Sequence, residues 1–492
     1  MTTPDVALEP TALSTPTAHY IDGTWYATPG AATIDVVNPA TEERVGQALA
    51  GTRADVDLAV AAAARAFPAW AATPLAERQA LLRRLYAELD ACADDVAALV
   101  TSELGAPVMV SRAIQVGLPL ATLSATPGLA DEITWRERTG NSLIVREPVG
   151  VVGCVTPWNY PLHQIVGKIA AALAVGCTVV VKPSEITPLS ALALALLVDR
   201  AGFPAGVFNL VTGTGPEVGE ALAGHGDVDM VSFTGSTRTG RLISEVASAT
   251  VKPVALELGG KSANIVLDDL DESAFARAVT DGVAKCFLNS GQTCSALTRL
   301  LVPRARLAEA EAIAEQAAAA MTVGDPLDSK TVLGPLVSDV QRERVRAYIQ
   351  RGVDEGARLV TGGAAAPDGL ERGYYVRATV LSDVRPEMTV AQEEIFGPVL
   401  VILPYDGVGE AAEHAAVEVA NGTPYGLSGG VWSADPERAL RVATRMRTGQ
   451  VEINGAAFNP LAPFGGYGQS GHGREYGVHG LTEFTVVKSI QL

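Results

Sequence analysis

The sequence predicts an α/β protein with a doubly wound sheet, a second α/β domain and a small β extension. Three observations predict it. From Val149 to about Thr237, apolar runs alternate with helical patterns at the spacing of parallel strands joined by crossover helices. A second strand and helix series starts near Gly259 and runs to about Val451. Two strand-like segments, Asn141 to Glu147 and the C-terminal EFTVVKSIQL, stand apart from both.

Residues 1–17, rich in Thr, Pro and Ala, read as a disordered tail. They lack the basic n-region and apolar h-region of a secretory signal. Between Val56 and Ala106, stretches such as AERQALLRRLYAELDACADDVAALV place charges at helical spacing, so amphipathic helices on a larger body are expected. Asn141 to Glu147 alternates Leu143 and Val145 with polar neighbours, as an exposed strand would. From Val149 the grammar changes. VGVVGCVTP reads as a buried strand, PLHQIVGKIAAALAVG as a helix, CTVVVKPS as a strand and TPLSALALALLVDRAG as a helix; GVFNLVTG and VDMVSFTGS are strands, with a helix from about Thr237. Ligands of such sheets sit beyond the carboxyl ends of the strands, so a nucleotide-type cofactor is the natural tenant.

Two glycine-rich stretches compete for that tenant. GTGPEVGEALAG is one residue too long for a GxGxxG fingerprint and reads as a tight turn with close helix packing. In SFTGSTRTG, Gly235 and Ser236 follow a strand and open a helix, where backbone amides could receive a pyrophosphate, with Gly240 allowing close approach one turn on. The second series then supplies FLNSGQTCSA from Phe287 to Ala296, a run poor in helix and strand formers that should be a loop shaped from outside. It carries Cys294. A strand follows at about Leu297 to Pro303, then a helix from about Leu307 to Met321. A cleft between the halves would turn Cys294 toward the nucleotide. The two isolated strands suggest pairing with another subunit, since bare edges are hazardous in a monomer.

Composition excludes several functions. At 492 residues, the chain should divide into two or three subdomains. With 48% hydrophobic and 19% charged residues it reads as globular, and its apolar runs look shorter than the ~20 residues that cross a bilayer, so no membrane is expected. A net charge of -18 would repel a phosphate backbone, so no nucleic acid partner is expected. Cys92, Cys154, Cys177, Cys286 and Cys294 are odd in number and lack CxxC spacing, which fits a reducing, cytoplasmic location rather than disulfides or zinc. His19, His163, His225, His414, His472 and His479 show no HxxxH or HxH spacing, so no metal is expected.

Seven motifs run in order along the chain: TPWNYP (156–161), KPSE (182–185), FTGSTRTG (233–240), LELGGKS (256–262), GQTCS (291–295), EEIFGP (393–398) and PFGGYGQSGHGRE (463–475). Together they resemble the NAD(P)-dependent aldehyde dehydrogenase superfamily, in register from about Tyr20 to the C-terminus. The resemblance implies a Rossmann-like NAD-binding domain over 18–130 and 149–258 and a catalytic domain over 259–462. It further implies oligomerisation strands over 131–148 and 477–492, a connecting loop over 463–476, and a homodimer or homotetramer. One departure is visible: Gly468 stands where the family usually has lysine, which would alter subunit contacts or local rigidity.

The chemistry follows from what an aldehyde needs. Its planar carbon is a poor hydride donor until a nucleophile makes it tetrahedral, and the resemblance assigns that task to Cys294 as thiolate. It supplies the Asn159 side-chain amide and the Cys294 backbone amide as oxyanion donors; a helix N-cap is the ordinary alternative for Asn159. Glu257 is the implied general base for hydrolysing the thioester, flanked by Leu256 and Leu258, whose burial would raise its pKa; its alternative is an exposed strand residue. Lys168 and Glu475 match proton-relay positions. For NAD, expected in preference to NADP, Lys182, Ser184 and Glu185 match the adenine ribose end. Trp158 and Ser236 match the pyrophosphate and nicotinamide path, Glu394 and Phe396 the nicotinamide ribose, and Thr156, Pro157, Gly235 and Leu258 are expected among the cofactor-binding residues. Tyr160, Gln164, Gly167, Thr293, Ser295, Phe458 and Phe464 are expected to line the aldehyde pocket, wide at Gly167 and suited to medium or large apolar or aromatic aldehydes, unless Gly167 merely lets two helices approach. A coenzyme A-acylating relative and a catalytically silent homologue remain as alternatives.

Overall fold

A computed structural model describes residues 15–27 and 30–492, so the tail expected over 1–17 falls mostly outside the described residues. The first sheet has eight strands in the order Gly471–His472, Val254–Glu257, Met230–Thr234, Val151–Val155, Thr178–Lys182, Phe208–Leu210, His19–Ile21 and Thr24–Tyr26. Its five central strands are parallel, and the outer strands run antiparallel. Taking Val151–Val155 as the first of the five, their chain order reads 5-4-1-2-3, with the reversal between Val151–Val155 and Met230–Thr234. Apolar clusters cover both faces.

These elements follow from their sequences. VVGCV and TVVVK are buried along their whole length, as central parallel strands must be. Pro161–Val175 is apolar nearly all round and buried at every position, entered through Pro161 and ended by Gly176 at φ 104°. Lys168 is therefore inside the protein.

The second sheet orders Arg358–Thr361, Thr379–Ser382, Val399–Tyr405, Arg299–Pro303, Ala263–Val266, Gly429–Trp432 and Glu452–Ile453, parallel except for its first strand. It too has a core on each face.

Four expectations change. The two isolated strands pair with each other: Thr485–Gln491 runs antiparallel to Ser142–Pro148, from Thr485 opposite Pro148 to Gln491 opposite Ser142, and Arg136–Thr139 completes a three-stranded sheet. Each satisfies the other's edge within one chain. Residues 477–483, expected as strand, form the helix Gly477–Glu483, packed on Pro161–Val175 and Gly117–Asp131. The loop expected over 463–476 contains Gly471–His472, which joins the first sheet beside Leu256 and Glu257. Finally, residues 108–131 form a longer apolar helical run than the sequence suggested, long and apolar enough to cross a membrane; its segment Gly117–Asp131 lies against Leu75–Ala91 and Pro161–Val175.

Two glycines find structural explanations. Gly468 has φ 57°, and a Cβ there would come 2.7 Å from the Pro424 carbonyl oxygen, so a lysine would be strained in this backbone. Gly240, expected to admit a ligand, instead abuts Leu258, whose Cδ2 would lie 2.6 Å from an added Cβ.

Candidate active site

Helix Glu272–Phe287 ends in an unusual turn. Asn289, Ser290 and Gly291 all lie in the left-handed region, at φ 54°, 55° and 74°. Two of these are non-glycine residues, a backbone that persists only where its surroundings hold it. Here the Gln292 amide donates to the Asn289 carbonyl at 3.1 Å. The Ser290 hydroxyl donates to the Gly334 carbonyl at 2.9 Å, and Gln292 Oε1 accepts from the Val337 amide at 3.0 Å. A side chain at Gly291 would strike the Gly397 carbonyl. The turn delivers Cys294, half-buried, against Leu427, Phe464 and Tyr476.

Asn159 comes to the same place from the carboxyl end of Val151–Val155. Its Nδ2 donates to the Gln292 carbonyl at 3.0 Å, two residues before Cys294. Its own carbonyl accepts from Gln115 Nε2 at 3.0 Å and Asn289 Nδ2 at 2.9 Å. Asn159 is not a helix cap, since Pro161–Val175 starts after Tyr160 and has no side-chain cap. Gln115 and Asn289 are contributors that sequence reasoning missed.

Glu257 ends its strand, buried, and its Oε2 has no partner among the described residues. Gly465 passes so close that a Cβ there would lie 2.8 Å from Glu257 Oε1. Burial and then Glu475 push the Glu257 carboxyl well above its ordinary range, opposed by Lys168 and Arg474. Lys168 donates to Glu475 at 2.5 Å and to Ser232 Oγ at 3.1 Å. Burial also pushes the Cys294 thiol up to about 12, reinforced by Glu394 and Glu257 and opposed by the Ser295 amide. The resting thiol is protonated.

The expected cofactor residues line the strand reversal of the first sheet, where doubly wound proteins bind ligands. Thr156, Pro157 and Trp158 follow Val151–Val155, Gly235 and Ser236 follow Met230–Thr234, and Lys182 ends Thr178–Lys182. The Thr156 amide donates to the Lys182 carbonyl at 3.1 Å, while its buried Oγ1 lacks a partner among the described residues. Lys182 pairs with Glu185 at 2.8 Å. Partial burial raises the Glu185 carboxyl, but Lys182 and neighbouring amides more than offset this and hold it low. Ser184 Oγ accepts from the Ile186 amide at 3.3 Å. Ser236 caps Thr237–Ser248, accepting from the Thr239 amide at 3.2 Å, so its hydroxyl serves the helix while the exposed helix start faces outward. Gly235 lies so close to the Phe233 ring that a Cβ would meet it at 2.5 Å. Glu394 accepts from the Gly260 amide at 3.1 Å, and desolvation pushes its carboxyl up to about 7. Phe396 meets Trp158 edge to face at 5.2 Å. The unpartnered Thr156 hydroxyl, the paired Lys182 and Glu185, and a helix start at the reversal suit a dinucleotide. Among the described residues, no group of three or more His, Cys, Asp or Glu side chains could hold a metal ion.

On the other side of Cys294, the Tyr160 hydroxyl and Thr293 Oγ1 are 2.7 Å apart, and Gln164 is buried with Oε1 unpartnered. Ser295 is half-buried. A small space lined by Thr126, Pro460 and Tyr476 reaches Gly167. The Tyr476 ring covers it, and an added Cβ would lie 2.9 Å from the Tyr476 hydroxyl oxygen. That hydroxyl is 2.9 Å from His163 Nε2, and the two rings stack 7° from parallel. Burial pushes the His163 imidazole down to about 4, so it is neutral. Phe458 and Phe464 both meet Tyr476 edge to face, at 6.1 and 6.2 Å. His163 and Tyr476 were missed in the sequence, although His163 lies one turn before Gly167 and Tyr476 directly follows Glu475.

A model described as "Aldehyde dehydrogenase family" matches residues 25–490. A 3-succinoylsemialdehyde-pyridine dehydrogenase from Pseudomonas sp is 49% identical over 472 residues, covering 96% of this chain and 97% of its own. Aldehyde dehydrogenase C of Pseudomonas syringae, solved as a cysteine-to-alanine mutant with NAD+ and octanal, is 48% identical with a TM-score of 0.95 over 98% of both chains. A Mycobacterium tuberculosis aldehyde dehydrogenase complexed with NAD+ is 43% identical with a TM-score of 0.93, over 97% of this chain and 98% of the other.

Proposed function

The chain belongs to the aldehyde dehydrogenase family, and on that premise we propose that it oxidises an aldehyde to the carboxylic acid with NAD, through a thiohemiacetal and a thioester on Cys294. The observation that carries this reading is the buried Glu257 carboxyl, its Oε2 uncommitted among the described residues, beside Gly465, whose neighbour Phe464 packs against Cys294.

Glu257 takes the thiol proton, and the thiolate attacks the carbonyl carbon. The oxyanion accepts from Asn159 Nδ2, whose position is fixed by the Gln292 carbonyl, and from the Cys294 amide. Bound NAD would supply the hydride acceptor; Lys182 and Glu185 would hold its adenine ribose, the start of Thr237–Ser248 its pyrophosphate, and Glu394 and Phe396 its nicotinamide ribose. The thioester left on Cys294 is hydrolysed by a water that Glu257 deprotonates, and the acid departs as the thiolate is restored. Lys168 and Glu475 hold the charge beside Glu257 and pass its proton onward.

Glu257 also argues against a coenzyme A-acylating enzyme, which needs no water-activating base, and Cys294, Asn159 and Glu257 together argue against a silent homologue. Glu185 favours NAD, since a carboxylate accepts from a 2'-hydroxyl and repels a 2'-phosphate. For the aldehyde, the Phe458, Phe464, Tyr476 and Tyr160 rings favour a medium to large apolar or aromatic chain. Octanal in the P. syringae structure and the pyridine-bearing semialdehyde in the Pseudomonas relative's name support that class. A homodimer or homotetramer would use the three-stranded sheet, where Val486, Val487 and Ile490 are exposed; five free cysteines suit the cytoplasm. The test is NADH formation by purified protein across a panel from acetaldehyde through octanal to benzaldehyde and semialdehyde acids. NADH with the apolar members at the highest kcat/KM is expected; no NADH with any aldehyde, or a requirement for coenzyme A, would refute the reading.

A further inference from the structure

Lys261 plays no part in the chemistry above, yet its side chain is among the largest fully buried ones in the protein, and its ammonium has no partner among the described residues. It lines a small pocket with Ser262, Arg299, Tyr425, Ser428 and Thr448, with room for a single water-sized occupant. The pocket sits at the amino ends of three neighbouring parallel strands, Ala263–Val266, Arg299–Pro303 and Gly429–Trp432.

Apolar Ala263, Ala420, Leu427 and Met446 share the lining with polar and cationic side chains. The Ser262 and Thr448 hydroxyls are also buried without partners. Arg299 adds a second buried cation, its guanidinium spent on the carbonyls of Lys261, Val419 and Ala420 at 2.7, 2.9 and 2.6 Å. Arg447 also lines the pocket, and no Asp or Glu does. A buried ammonium without a hydrogen-bonded partner is costly. Burial, and then the Arg299 charge, push the Lys261 amine down to about 7, opposed by Cys286, Glu394 and Glu393, none of which lines the pocket. A buried ammonium and two buried hydroxyls, all unpartnered among the described residues and all on residues that line one small space beside a second cation, suit an anion better than a water, which brings two hydrogens of its own.

We propose that this pocket binds one halide-sized anion, held by the Lys261 ammonium and the Ser262 and Thr448 hydroxyls. The ion lies one residue beyond the Gly259–Gly260 step that links Glu257 to the catalytic domain. Gly260 donates to Glu394 and abuts the Cys294 carbonyl, so an occupied pocket anchors the far end of the segment on which both depend.

The test replaces sodium gluconate with sodium chloride or bromide at constant ionic strength and follows thermal unfolding of the full-length protein. A saturable rise in Tm of about 2 °C is expected for the parent. In Lys261→Met the halide-specific rise should vanish, and in Thr448→Val its midpoint should move at least ~tenfold to higher halide. Bromide-grown crystals should show an anomalous peak within hydrogen-bonding distance of Lys261 Nζ, a readout that needs no variant to fold. No halide-specific rise in the parent, an equal rise in Lys261→Met, or a water without anomalous signal in the pocket would each overturn the proposal.

Discussion

Lys168 Nζ donates to Glu475 Oε1 at 2.5 Å inside the protein, and the two residues act on Glu257 in opposite directions. The Glu475 charge raises the Glu257 carboxyl and the Lys168 charge lowers it. Glu257 works as a base only when ionised, so turnover falls as pH drops through its pKa. Glu475→Gln should therefore move the acid limb of the kcat profile to lower pH, and Lys168→Met should move it to higher pH. Lys168→Met also leaves Glu475 buried and unpaired, a loss of about 3–5 kcal/mol that thermal unfolding will register separately. Equal shifts in the same direction would show that the pair serves stability alone.

Cys294→Ala should abolish turnover while NAD binding, followed by titration of protein fluorescence, stays within about twofold. No other thiol is placed to substitute: Cys286 lies on the preceding helix, buried, with its Sγ directed to the Val399 carbonyl. Asn159→Ala removes one oxyanion donor and should lower kcat by roughly 10²–10³-fold. Substantial aldehyde oxidation by the alanine variant at 294 would remove the covalent mechanism.

Glu257→Gln should separate the half-reactions, since attack and reduction of NAD can follow slowly from ionised thiol while water is no longer activated. Intact-mass spectrometry after one equivalent of aldehyde with NAD should show an acyl adduct on Cys294 and a burst of NADH. An unmodified mass during slow steady turnover would place deacylation on another residue.

The parallel strands and crossover helices between Val149 and Thr237 were legible because a fully buried strand is a continuous apolar run and the helices between them are long. Gly471–His472 was not, since two residues carry no periodicity, and it is held to the sheet by its ladder with Leu256 and Glu257. The pairing of Ser142–Pro148 with Thr485–Gln491 was misread for a similar reason: each edge is visible in the sequence, but the identity of its partner is not. Within the site, Cys294, Asn159 and Glu257 could be named from motifs. The Tyr476 to His163 contact joins residues 313 apart, and no local pattern encodes it.

The proposed preference for NAD at Glu185 can be moved by substitution. Its carboxyl is held low beside Lys182, so it is ionised at neutral pH and would repel a 2'-phosphate placed against it. Glu185→Ser should raise the ratio of kcat/KM for NADP over NAD by about tenfold, the effect of one ~1.4 kcal/mol interaction, because Lys182 is released to face the phosphate. A higher kcat/KM for NADP than for NAD in the parent enzyme would mean that Glu185 does not meet the ribose.

On the proposed reading, Tyr476 bounds the aldehyde pocket beside Gly167. Its ring lies on the glycine, its hydroxyl is tied to His163, and Phe458 and Phe464 close around it. Gly167→Ala puts a methyl 2.9 Å from the Tyr476 oxygen, so it should destabilise the protein by roughly 1–3 kcal/mol through overpacking. Tyr476→Leu removes the collision. The double variant should then be more stable than the two single losses added together, a coupling that thermal unfolding of the four proteins measures. The same Tyr476→Leu change should raise kcat/KM for benzaldehyde-sized substrates relative to propanal, because the removed ring leaves room that a larger acyl group fills. Tyr476→Phe keeps the ring and loses only the His163 contact, so it should leave that ratio unchanged while costing about 0.5–1.5 kcal/mol of stability. Coupling without any change in the substrate ratio would confine Tyr476 to helix packing and leave the pocket wall to Tyr160, Phe458 and Phe464.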